Sequence, residues 1–169
     1  MGTTRSALLG AVVVLALALG TGLASPAMAA GVPRATLAKK ADAICRAENA
    51  KLLHFKSAPP SFDEPGNATA RQIRAGAGWF AESQALLLEE NQKIFALGSP
   101  AEPAARTAWN RWHTLVTTVA IPTVKAVVAA SRKGDTKAFA AAFAKAEKPS
   151  IEGQKLISGL GLKVCQFGG

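Results

Sequence analysis

Few side chains in this 169-residue chain are of types that do chemistry: there are 2 histidines, 2 cysteines, 11 acidic residues and no tyrosine. His54 and His113 fall in different helical stretches, each about 100° from the centre of its apolar face, where a histidine is normally a solvated boundary residue. A metal centre would need two or more further ligands converging on them, and no Glu-x-x-His spacing supplies these. No metal or other cofactor is expected. No nucleophile–base pair, carboxylate pair or phosphate loop is visible either. The expected protein is not an enzyme.

Glu48 is the most unusual placement. It falls near the middle of the arc formed by Leu37, Ala41, Ile44 and Phe55, where a carboxylate must find a partner or shift its pKa upward. Arg111, His113 or a tryptophan indole N–H are the expected partners. A ligand-anchoring or acid–base carboxylate is one reading; a slightly rotated helix with Glu48 at its edge is the commoner outcome. Trp109 and Trp112 are neighbours on one helical face. They would serve either as a stacking platform for a flat ligand or, more usually, as core. Glu48, Trp109, Trp112 and His113 together form the candidate ligand site. Trp79 lies about 120° off the seam of its own helix, with Leu86 and Leu97 alongside, and faces another helix or an external partner.

These residues need elements to position them. The chain is 49% hydrophobic and 18% charged, too apolar for disorder. Aromatic residues make up 6%, which disfavours an all-β fold, and abundant alanine favours helix. One domain is expected at this length. Residues 1–30 read as a signal peptide, with Arg5, an apolar run Ala7 to Leu19, and Ala27-Met28-Ala29. Cleavage is expected after Ala29 or Ala30. A retained anchor over Ala7 to Ala24 is the alternative, disfavoured by Gly20, Gly22 and Pro26. No cysteine follows the apolar run, so the chain is not a lipoprotein.

Residues 31–169 then form the exported domain. Without Arg5, 19 basic residues face 11 acidic ones, a net charge of +8. Export argues against nucleic acid and leaves anionic lipid, envelope polymer or an envelope protein as partners. Lys137, Lys148 and Lys155 fall within about 20° on the last helix with Lys145 beside them, a candidate anion-binding face that otherwise reads as solvated surface. Nothing indicates an oligomeric state.

Four helical patterns follow, over 35–57, 67–97, 100–133 and 136–160. Pro59 and Pro60 stop the first. Ile73, Ala77, Phe80, Gln84, Leu87, Asn91 and Ile94 form the seam of the second. Ser99-Pro100-Ala101-Glu102 reads as a capping box opening the third, whose core face carries Ala105, Trp109, Trp112, Val116, Val119, Thr123, Ala126 and Ala130. Pro122 and Pro149 should kink the third and fourth helices. Asp135 is the expected N-cap of the fourth. Short connections make an up-down-up-down four-helix bundle, which returns Cys165 to Cys45. Two cysteines in an exported domain most often form one bridge; no CxxC or nearby histidine supports a catalytic or metal-binding pair.

Ala41-Asp42-Ala43-Ile44-Cys45, the Leu97-Gly98-Ser99-Pro100 junction, Gly134-Asp135 and the closing Gly161-Leu162-x-Val164-Cys165 resemble a group of small secreted or lipid-anchored actinobacterial proteins. The two cysteine-containing ends carry the specific part of this likeness. It implies an exported helical bundle with one bridge between its ends, and adds nothing about chemistry. The lipobox cysteine of the anchored members is missing, so anchoring does not carry over. The expected function is a binding or structural module at the cell envelope; the alternative is a small-ligand or metal carrier using the bundle interior. A cavity inside the fold separates the two.

Overall fold

The computed structural model describes residues 31–165; the expected signal peptide and residues 166–169 lie outside the described residues. Four helical rods form a bundle closed by a Cys45–Cys165 disulfide, as the pattern of the chain implies. The first rod is α1 (Arg34–Leu52). Val32, ahead of it, is pinned to the connection between the second and third rods: its N–H donates to Ser99 and its carbonyl accepts from Ala101, both at 2.9 Å. The Glu102 carboxylate accepts the first helical amide, Arg34 N–H, at 3.0 and 3.1 Å.

α1 ends five residues before the expected Ser57. The amides of Lys56 and Ser57 donate instead to the Glu82 carboxylate, at 2.9 and 3.0 Å, which draws the chain out of the helix ahead of the prolines. Leu52 and Phe55 therefore do not extend the core seam. Leu52 is 42% exposed, and Phe55 lies edge-on to Trp79 with ring centroids 6.2 Å apart.

The second rod is divided at Gly76 into α2 (Ala70–Ala75) and α3 (Ala77–Phe95). A Cβ on Gly76 would stand 2.9 Å from the Pro60 Cβ, so glycine lets the preceding connection cross closely here. Thr69 and Gln72 form a capping box for α2. The box expected at Ser99–Glu102 is not formed. Ala101 is engaged with Val32 and the Glu102 side chain with α1, so α4 (Pro103–Leu115) starts three residues later, with Pro103 at its first position.

One π-helical turn, Val116–Ala120, joins α4 to α5 (Ile121–Lys133), and Ile121 N–H donates to the Val116 carbonyl five residues back. The turn immediately precedes Pro122, which has no N–H for the carbonyl of Thr118 and whose ring would crowd it. The wider turn carries one extra residue and rotates the following face. Ala126, expected in the core, is exposed, whereas Val127 and Val128 are buried. This third rod, 103–133, is long and apolar enough to cross a membrane by composition, yet Trp109, Trp112, Val116 and Val128 are buried within the bundle. Gly134, at φ +69°, ends α5, and Asp135 caps α6 (Thr136–Leu160) as expected, accepting Ala138 N–H at 2.9 Å. α6 runs through Pro149 without a break.

The core has two parts. Leu37, Ala41, Cys45, Ile94, Trp109, Trp112, Ile157 and Leu160 occupy one end, and Ile73, Phe80, Val127, Val128, Phe139 and Ala142 the other. Each large apolar side chain buried this way contributes roughly 1.5–3 kcal/mol. At the first end, Cys45 and Cys165 bring their Cα atoms to 5.2 Å across 120 residues of chain. Asp42, one turn earlier on α1, accepts the amides of Lys163 and Val164, each at 2.9 Å. The tail is thus held twice on one face of α1. Asp42→Ala leaves both amides without their acceptor, and chemical denaturation with the bridge intact should register a loss of about 1–3 kcal/mol. A loss below about 0.5 kcal/mol would mean that the bridge alone holds the tail.

Candidate functional site

Glu48 is 1% exposed, so it does not sit at the edge of its helix. Its partners are not Arg111, His113 or an indole either. Its carboxylate oxygens meet Lys51 Nζ and Lys93 Nζ, both at 2.7 Å, and Glu89 bridges the same two lysines at 2.8 and 2.6 Å. The two lysine side chains are 44% and 46% exposed, so Glu48 lies only one side chain below solvent. Burial pushes its pKa up, but the hydrogen bonds from Lys51 and Lys93 outweigh it and hold the carboxyl below its ordinary value. The same lysines lower Glu89 to about 2 and are themselves raised. A carboxylate that stays ionised, with both oxygens engaged, is a clamp between α1 and α3. Arg111 pairs with Glu152 on α6 instead.

Trp109 and Trp112 are 4% and 1% exposed, with ring centroids 5.2 Å apart. Phe95 packs against both, at 5.4 and 5.0 Å, and His113 stands edge-on to the same ring at 4.4 Å. Three of the four expected ligand-site residues therefore meet around Phe95, while Glu48 belongs to the lysine cluster. His54 is exposed in the turn after α1. Trp79 is half-buried against Phe55 and Phe80, so the chain's own turn after α1 packs against that stripe.

Beyond Trp112 lies a feature that the sequence reading did not place. A cavity of about 140 Å³ sits between the π-helical turn and the Pro149 region of α6. Its walls include Leu87, Val116, Val119, Pro149 and Gly153, and no ionisable side chain lines it. Several wall residues, Leu115, Val124 and Ser150 among them, are only half-buried, so the space reaches the surface. Two of the lining residues, Trp112 and Thr123, each hold a polar atom, Nε1 and Oγ1, that is buried away from the open space with no hydrogen-bond partner among the described residues. Thr117 and Thr118, by contrast, donate to the helix carbonyls of His113 and Thr114, respectively, one turn back. Thr123 makes no such bond, and its own i−4 position, Val119, lies within the π-helical turn. The volume matches that of an engineered apolar cavity of about 150 Å³ known to bind benzene.

Elsewhere, Glu90 places Oε1 3.3 Å from Cys45 Sγ. Burial, with the Glu48 charge adding to it, pushes its carboxyl up to about 7. Cys45, Cys165 and Glu90 gather their ligand-type atoms within 4.8 Å, but both sulfurs belong to the bridge, which leaves one ligand and no metal site. Lys137, Lys145, Lys148 and Lys155 are all exposed on α6, and Lys148, Lys155 and Arg111 border a shallow groove with Ile151 and Glu152. No protein-family profile matches the chain, and neither a curated protein nor a solved structure matches it.

The Glu90 environment sets a pH dependence. Its folded pKa of about 7 exceeds the ordinary 4.5, so its contribution to stability is complete below pH 4.5 and is lost as pH rises through 7. Glu90→Gln should unfold like the parent near pH 4.5 and be more stable at pH 8. The difference should be on the order of 1 kcal/mol, reduced from the full shift because the group is half-buried. Equal midpoints at both pH values would show that Glu90 ionises freely.

Proposed function

We propose that this chain is an exported, non-enzymatic binding protein that carries a small apolar molecule inside its bundle. One observation carries this reading: the apolar cavity beside Trp112, of a size that small rings occupy. The leader-like residues 1–30 and the buried disulfide support a place outside the cytoplasm. The likeness to small secreted actinobacterial proteins agrees with both. Five carboxylates serve the fold: Asp42, Glu82 and Glu102 on backbone amides, Glu48 and Glu89 on lysines.

Ligand binding to the folded state alone raises the unfolding midpoint. Titrating toluene into the purified protein should therefore raise the midpoint and change tryptophan fluorescence. Ala146→Leu, which fills the space from the α6 side, should remove both responses while keeping the helical spectrum. A midpoint that does not move with the parent protein would overturn the proposal.

A second reading has its own observation, the exposed lysines of α6 with Arg111 beside them, which suit an anionic envelope polymer or lipid. Retention on anionic vesicles should fall with added salt and fall again in a Lys145→Glu, Lys148→Glu, Lys155→Glu variant, because screening acts over about 8 Å at physiological ionic strength. No retention at low salt would reduce that face to a solubilising surface.

A further inference from the structure

We infer that the groove between the outer flank of α1 and the C-terminal tail binds a linear polyanion whose charges are phosphates. The apolar cavity beside Trp112 plays no part in this, and neither does the lysine face of α6.

The groove is lined by Arg34, Lys39 and Arg46 from α1 and by Lys163 from the tail. All four residues are exposed, and none makes a salt bridge among the described residues. One acid, Asp42, shares the lining. It is buried, and its oxygens accept the amides of Lys163 and Val164. Four cations thus meet one carboxylate that is already committed to backbone. Glu102, at the start of α1, is likewise held on the Arg34 amide. Like charges gathered along one groove repel, and an anion seated among them relieves that repulsion. The groove on α6 is built differently: Arg111 is paired there with Glu152, which lines the same depression, so an incoming anion competes with an internal partner.

The two sides of the α1 groove are fixed relative to one another. The disulfide and the amides on Asp42 anchor the tail, so Lys163 stands on a backbone tied to the helix it faces. Along α1, the span from Arg34 to Arg46 is about 18 Å at the helical rise of about 1.5 Å per residue. Lys39 and Arg46 are two turns apart on one flank of that span. Cations spread over such a length exceed what one small ion can bridge, and they suit a chain that repeats its charge. The donors set the chemistry of that charge. Two guanidinium forks and two ammonium groups match phosphate oxygens, which accept several charge-assisted hydrogen bonds at once. No aromatic side chain lines the groove, so the bases of a nucleic acid would find no stacking surface. A phosphate polymer without bases is the class that fits.

The probe is linear inorganic polyphosphate long enough to span the groove, titrated into the purified protein by isothermal calorimetry at several salt concentrations. Orthophosphate, poly-L-glutamate and anionic phospholipid vesicles are run beside it. Two triple variants have the same net charge: Lys39→Gln with Arg46→Gln and Lys163→Gln in the groove, and Lys145→Gln with Lys148→Gln and Lys155→Gln on α6. Circular dichroism checks that both are folded. Polyphosphate should bind more tightly than orthophosphate or poly-L-glutamate. Its affinity should fall about tenfold or more in the groove variant and less than about threefold in the α6 variant. The slope of log affinity against log salt should be about −3 for the parent, from four contacts at about 0.7 each, and about −1 for the groove variant. By NMR, polyphosphate should shift the amides of Arg46 and Lys163 but not those of Lys148 and Lys155. Equal losses in the two variants would show attraction by net charge alone and overturn the groove, as would a larger loss on α6. Poly-L-glutamate binding as tightly as polyphosphate would overturn the phosphate class. Binding to vesicles without binding to polyphosphate, or no binding at low salt, would overturn the proposal and leave the apolar cavity untouched.

Discussion

The C-terminal end of the chain is fastened to two successive turns of α1, where Cys45 bonds Cys165 and Asp42 accepts the amides of Lys163 and Val164. Helices rich in alanine offer shallow ridges, and shallow ridges locate one helix along another poorly. The tie fixes α6 against α1 at one end, and the Ile157–Leu160 turn then meets Leu37 and Ala41 in the same core. The chain enclosed by the bridge spans 120 residues, and such a closure destabilises the unfolded chain by on the order of 5 kcal/mol in the loop-entropy account. Val32, held between Ser99 and Ala101, sets the entry of α1 against the second and third rods as well. With those ends fixed, the tryptophan layer has a defined partner in Phe95.

The charged residues divide by sign. Asp42, Glu82 and Glu102 hold backbone amides at points where the chain changes direction, and Glu48 with Glu89 locks α1 to α3 through two lysines. These carboxylates act inward. The excess of basic residues is left facing outward, most evenly along α6. The positive excess itself follows from the composition, 20 basic residues against 11 acidic, and Glu90, half-buried against the disulfide and pushed up to about 7, meets no cation among the described residues.

Elements whose cause is local were legible in the sequence. The four rods, the Asp135 cap, the disturbance at Pro122 and the return of Cys165 to Cys45 all follow from spacing, proline and chain order. Elements whose cause lies far along the chain were not. Nothing near Ser57 marks the end of α1, because the acceptor that draws the chain away is Glu82, 25 residues on. Likewise the start of α4 moves because Glu102 serves Arg34, 68 residues back. Spacing put Glu48 within the apolar arc, but a position at the helix edge was the commoner expectation, and helical position alone cannot rank Lys93 above Arg111 as its partner. The cavity had its signals in plain view: two interior prolines and a threonine, Thr123, on an otherwise apolar face. Reading them as one space required knowing that the π-helical turn and the Pro149 segment of α6 face each other. Asp42, three residues before Cys45 and so on the same face of α1, also had a usable signal in its spacing.

The position of Cys165 has a consequence for the order in which the molecule is made. It lies beyond α6, so every helix has emerged from the ribosome, and from any export channel that passes the chain from its N-terminus, before the second sulfur exists in the folding compartment. Cys45, on the first helix, waits as a free thiol throughout that interval. The first helices can therefore begin to pack against one another before the bridge can form. A cysteine pair set early in the chain would instead have committed the first two rods before the other two were present.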